Sequence, residues 1–243
     1  MRKKSLQSFV LCLVLLSCSG CGVIDAIFMT PPDDTAQEMA ELGNEAMQAK
    51  EYGKAIEYFQ KLKDRYPFSP FTTAGELSLG DAYFLDEQYK AATETYKEFE
   101  SLHPRHESIP YVLLQIGISN YSQFESIDLP QDNIVESLEY FRRVKTEYPG
   151  TQFAEKAETY ILKCKRYIAE HEIFVADFYW KAERYESAWM RYDYVQKNFP
   201  ELPDIVRYAQ IRGRQAYVMY QETISENVRE KEQGSWKQWF DWL

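Results

Sequence analysis

The stretch that decides the fold is Tyr89-Lys90-Ala91-Ala92-Thr93-Glu94-Thr95-Tyr96-Lys97-Glu98-Phe99-Glu100-Ser101-Leu102-His103-Pro104. Ala92, Tyr96 and Phe99 follow Tyr89 at offsets of 3, 7 and 10, which share one face of an α-helix, and charged residues fill much of the remainder. Pro104, at offset 15, has no amide hydrogen to donate and stops the helix. The same pattern recurs from Tyr52, Ile134 and Tyr185. Small residues stand at the first offset (Ala55, Ser137, Ala188), rings at the second (Phe59, Phe141, Tyr192) and aliphatics at the third (Leu62, Val144, Val195), closed by Pro67, Pro149 and Pro200. A small residue admits a neighbouring helix closely, and the ring beside it fills the groove.

Upstream of each block runs a second helical pattern with its own small position, Gly43, Gly80, Gly117 or Ala176, and with Tyr83, Tyr121 and Tyr179 following. Paired helices with these offsets and a closing proline resemble the tetratricopeptide repeat, whose period is about 34 residues. The prolines here are 37, 45 and 51 residues apart, so the later units carry insertions. One falls within Ser122 to Val135, where Asp128-Leu129-Pro130-Gln131-Asp132 reads as a loop, and the other is extra helix between Phe153 and Arg184. A fifth, degenerate unit follows Pro203, with Ile211, Gly213 and Ala216 in first-helix positions and no closing proline. The expected fold is all-α, an α-solenoid of about five helix pairs with no single core.

The first residues read as an export signal. Met1-Arg2-Lys3-Lys4 precedes an apolar run from Phe9 to Leu16, shorter than the ~20 residues of a membrane span. Leu15-Leu16-Ser17-Cys18 resembles a bacterial lipobox, which makes Cys18 the expected lipidated residue and Cys21 the alternative. The expected organisation is a signal peptide over 1–17, a lipidated tether over 18–32 and the repeat domain over 33–243. By resemblance to lipoproteins, three acyl chains would hold the chain to the membrane, whereas one alone binds marginally. Ser19 is not the aspartate that commonly retains lipoproteins at the inner membrane, so the resemblance implies the outer membrane, on its periplasmic face.

Acidic residues number 38 against 28 basic ones, for a net charge of -10, which removes the electrostatic drive for binding nucleic acid. Loss of the signal would take away Arg2, Lys3 and Lys4 and no acid. No catalytic pattern emerges. His103, His106 and Glu107 sit beside Pro104 with no further ligand in view, and His171-Glu172 lacks the second histidine of a zincin helix because Val175 holds its place. The expectation is therefore a binding protein, with no cofactor, metal or catalytic residue. At the far end, Trp236, Trp239 and Phe240 share a helical face beside Trp242, as a cap on the last helix or as an anchor for a partner.

Repeats of this kind bind with a concave surface lined by their first helices. Projecting the repeat phase puts Asn44 on it from the first unit, Leu77, Asp81 and Phe84 from the second, and Tyr111, Leu114 and Tyr121 from the third. Asn44 fits a backbone-gripping role, but Ala40 stands where carboxylate-clamping repeats use lysine, and the second and third units suit an apolar or aromatic peptide end. The alternative is that these rings pack between helices.

The junction Arg65-Tyr66-Pro67-Phe68-Ser69-Pro70-Phe71 resembles that of the BamD family, also called ComL or YfiO. His103-Pro104-Arg105-His106, Ile109-Pro110-Tyr111-Val112, the loop in the third unit and Glu147-Tyr148-Pro149-Gly150-Thr151 fit the same family, whereas the tryptophan-rich end departs from it. The resemblance implies a periplasmic lipoprotein of the outer-membrane β-barrel assembly machinery. It would work beside a BamA-like barrel insertase and other assembly lipoproteins. Its N-terminal repeats would receive the aromatic C-terminal signal of unfolded outer-membrane clients, and its C-terminal repeats would dock on the insertase, with Arg191 at a matching basic position. A lipid-anchored scaffold for cell-wall enzymes, or a secretion-pore pilotin, would share the anchor and the repeats but not the Tyr66–Phe71 junction.

Overall fold

The structure, a computed structural model, describes residues 35–233. Cys18, Cys21 and the Trp236–Trp242 cluster lie outside the described residues. Thr35 opens the first helix with a reciprocal cap: its hydroxyl accepts from the Glu38 amide, and the Glu38 carboxylate accepts from the Thr35 amide at 2.9 Å. Nine helices follow among the described residues. They are α1 (Ala36–Gln48), α2 (Tyr52–Arg65), α3 (Thr72–Leu85), α4 (Tyr89–Leu102), α5 (Ile109–Ser122), α6 (Asp132–Glu147), α7 (Gln152–Lys181), α8 (Tyr185–Asn198) and α9 (Pro203–Gln233).

Each helix packs on the next, giving the pairs α1/α2, α3/α4, α5/α6 and α7/α8, with α9 as the first helix of a fifth unit. That helix runs on to Gln233, where the sequence pattern suggested a degenerate pair. The small positions work as expected. A Cβ on Gly43 would stand 2.5 Å from the Phe59 ring, on Gly80 2.6 Å from Tyr96, and on Gly117 2.6 Å from Phe141. In each case the ring belongs to the partner helix of the same pair and is fully buried.

Two kinds of turn alternate. After the second helices, the residue before proline leaves the helical region, at φ −130° and ψ 53° for Tyr66 and −131° and 48° for Phe199, because the proline ring excludes the α conformation there. Within pairs one, two and four the chain reverses through a left-handed residue, Lys50, Glu87 or Glu183. The amide after it closes back onto the helix, as Glu51 does onto the Ala46 carbonyl at 2.9 Å. The third pair replaces this turn with the inserted loop, residues 123–131.

The interior divides into three clusters, over α1 to α3, over α4 to α7, and over α7 to α9. Tyr83 packs on both of the first two, and Ile168 links the second to the third. Thirty residues long, α7 serves two repeats: Cys164 packs against Ser137 of α6, and Ala176 faces the cluster around Tyr192 of α8. First helices of neighbouring units also touch (α1 with α3, α5 with α7, α7 with α9). Second helices are instead spanned by long ion pairs, Lys63 to Glu98 at 2.5 Å and Arg143 to Glu100 at 2.7 Å. Closer spacing along the first helices makes theirs the inner face.

Candidate functional site

The inner face begins at α1, where Asn44 is solvent-exposed one residue after the buried Gly43. On α3, Leu77 and Phe84 are half-buried, and Phe84 meets the Tyr89 ring edge to face at 5.5 Å. These three keep surface available to a ligand.

The remaining residues projected onto the groove are engaged inside the protein. Asp81 accepts a hydrogen bond from the Tyr96 hydroxyl at 2.6 Å and another from Tyr111 at 2.5 Å, so it ties α3 to α4 and to the following unit. Burial lifts its carboxyl above the ordinary range, against the two phenols that favour the charged form. Burial also raises both phenols, with the adjacent Asp81 charge adding to it. Tyr111 further meets the Tyr96 and Phe153 rings edge to face. Leu114 is 3% exposed and sits in the central core, so it is corrected from groove wall to packing residue: at its helical phase it points into α4–α7. Tyr121 stacks on Tyr167 at 5.7 Å and lies edge-on to Tyr160 at 5.2 Å, part of a ring column that continues through Phe124.

At the junction of the first two units, Tyr66 is half-buried against the N-terminal core, and its carbonyl accepts from the Thr72 hydroxyl and the Ser69 amide. These bonds hold the turn so that Pro67 is exposed, Phe71 is 39% exposed and Phe68 is 99% exposed. Arg191, on α8, donates to Glu172 of α7 at 2.7 Å and keeps 42% of its side chain in solvent; that hydrogen bond raises its pKa above the usual value. His103 pairs with Glu76 at 2.7 Å and lies 4.8 Å from the Phe99 ring, which accounts for its position at the turn by packing.

Sequence reasoning missed a second clamp of the Asp81 kind. Asp177 of α7 accepts from Tyr192 of α8 and from Tyr208 of α9 at 2.9 Å. The signal was present: Asp81 precedes Tyr96 by 15 residues, as Asp177 precedes Tyr192, and each Asp directly follows the small position of its unit. Where the inner ring is Phe59 or Phe141 no hydroxyl needs an acceptor, and Asn44 and Ile118 hold the corresponding places.

Residues 32–230 match the family described as YfiO: Outer membrane lipoprotein. The chain belongs to this family. The matched span takes in every helix except the last three residues of α9, so family membership rests on the whole described stack, and it associates the chain with the outer membrane. Among curated relatives, the outer membrane protein assembly factor BamD of Vibrio cholerae is 25% identical over 211 residues, covering 83% of this chain and 85% of its own. The BamD of Rickettsia prowazekii is 28% identical over 170 residues (69% and 68%), and that of Neisseria meningitidis 22% over 196 (76% and 73%). A crystal structure from Podosopora anserina, titled for its TPR-like repeats, aligns with a TM-score of 0.43 at 14% identity, covering 85% of this chain and all of its own.

Proposed function

We propose that the protein is a non-enzymatic, lipid-anchored periplasmic component of the machinery that assembles outer-membrane β-barrels. The observation that carries this reading is membership of the YfiO family over residues 32–230, with relatives named as outer membrane protein assembly factors. In this reading the acyl chains on Cys18 or Cys21 hold the stack at the outer membrane and raise the local concentration of client segments. The inner face of the first two units, with Asn44, Leu77 and Phe84, and the junction ring Phe68 receive the aromatic C-terminal end of a client chain. Because the receptor face is preformed, its side contributes little ordering cost, and modest contacts suffice for selection. The C-terminal units dock on a BamA-like insertase, with Arg191 supplying a basic contact.

Two experiments test this. Affinity purification of the lipidated chain from detergent-solubilised envelope should co-purify a large β-barrel protein; recovery of cell-wall enzymes in its place would favour the scaffold reading. A peptide ending in a client's aromatic residue should bind the full chain and lose affinity in Leu77→Ser/Phe84→Ser with helicity retained. Unchanged peptide affinity in that variant would remove the inner face of the second unit from the mechanism.

A further inference from the structure

A cavity of about 390 Å³ lies where the inserted loop of the third unit meets the contact between α7 and α9. Its apolar lining includes Ile127 from the loop, Phe174 from α7 and Ile205 from α9. The loop is held against the cavity by the His171 ring, whose Nδ1 bonds the Ile127 carbonyl at 2.5 Å. The insertion that lengthens the third unit therefore builds a wall of this site. Phe174 is 44% exposed, and Phe178, one turn along α7, is 62% exposed. Leaving two such rings in water on one helix face is costly unless something covers them.

The charged residues of the lining share one sign. Glu170, Asp177 and Asp204 all border the cavity. Arg166 spans two of them, at 3.7 Å from Glu170 and 2.8 Å from Asp204. Arg212 is held 4.4 Å above the Trp180 ring near Asp177. Carboxylates still outnumber guanidiniums, within a chain whose net charge is -10. Asp177 is kept in place by hydrogen bonds from the Tyr192 and Tyr208 hydroxyls.

We propose that this cavity docks an extended segment of a partner protein in which a bulky apolar side chain is flanked by Arg or Lys. The apolar side chain enters between Ile127, Phe174 and Ile205, and the flanking cations meet the three carboxylates at the rim. The site is separate from the inner face of the first two units and does not depend on how clients are bound there.

The test uses the full chain in nanodiscs and a fluorophore-labelled peptide, acetyl-Gly-Arg-Phe-Arg-Gly-amide, followed by anisotropy. Binding should weaken at least tenfold when the peptide Phe is replaced by Ala or both Arg by Glu. It should also weaken at least tenfold in Phe174→Ala, an exposed position whose loss leaves the fold unstrained, and should fall with added salt. Glu170→Gln should reduce affinity for the Arg peptide while improving that for the Glu peptide, a crossover that misfolding cannot produce. Leu77→Ser/Phe84→Ser should leave this peptide's affinity unchanged, which separates the site from the client face. No measurable binding, equal affinity for the Arg and Glu peptides, or wild-type affinity in Phe174→Ala would overturn the proposal. So would a concentration-dependent dimer abolished by Phe174→Ala, since a second copy would then be the occupant.

Discussion

Replacing Gly80 by Ala adds one methyl group to a helix and, on propensity alone, should stabilise it by about 1 kcal/mol. The structure reverses the sign. The new Cβ would stand 2.6 Å from Tyr96 Cε1, 2.8 Å from Cδ1 and 3.0 Å from Cζ. Tyr96 cannot swing aside, because its side chain is fully buried and its hydroxyl is tied to Asp81. Overpacking of this kind costs about 1–3 kcal/mol. Set against the propensity gain of about 1 kcal/mol, a net loss of up to roughly 2 kcal/mol is expected. At roughly 2–4 °C per kcal/mol for a chain of this size, the midpoint should fall by up to about 8 °C. Gly53, also helical but with nothing within 4 Å of the added Cβ, supplies the control. Gly53→Ala should raise stability by about 0.5 kcal/mol. Thermal and urea unfolding of both variants, followed by far-ultraviolet circular dichroism, makes the comparison. If Gly80→Ala melts at or above Gly53→Ala, then the pairs are not held by direct contact between a small residue and a pinned ring.

Three further outcomes are expected. Lys50→Gly, Glu87→Gly and Glu183→Gly, each at a left-handed turn residue, should raise stability by a few tenths to ~1 kcal/mol apiece, read as a shift in urea midpoint. Tyr111→Phe removes one donor from the partly buried Asp81 and should cost about 1–3 kcal/mol, more than Tyr208→Phe at the more exposed Asp177 clamp; chemical unfolding of both gives the ranking. Asp81 also sets a pH dependence. Since its folded pKa lies above the unfolded value of about 3.9, its contribution is fully present below that pH and is lost as pH rises through the folded pKa. The stability of the wild type relative to Asp81→Asn should therefore decline from pH 4 upward, and a difference that grew with pH would contradict a carboxyl governed by burial.

Much of the fold was legible because its information is local. Ala92, Tyr96 and Phe99 share a helical face by their offsets alone, and all are buried as that face requires. The loop after Ser122 and the long helix before Arg184 announced themselves by breaking the period. The left-handed turns were not legible, since Lys50, Glu87 and Glu183 carry none of the glycine signature of such positions and are held there by bonds to the preceding helix. The candidate site was legible only in part. Asn44, Leu77 and Phe84 keep surface in solvent, whereas Leu114 and Tyr121 are taken up by packing.

The sequence by itself determined the helix pairs, their order and phase, and which side chains each pair turns inward, because the pattern of small, ring and proline positions acts over one or two turns of helix. Only the tertiary structure decided which aromatic residues remain in water. It also decided that Asp81 and Asp177 reach into the next unit, and that a loop from the third unit closes a cavity against the start of α9. Those outcomes depend on the rotation and offset between successive pairs, which arise from packing among side chains of different units and leave no periodic trace along the chain.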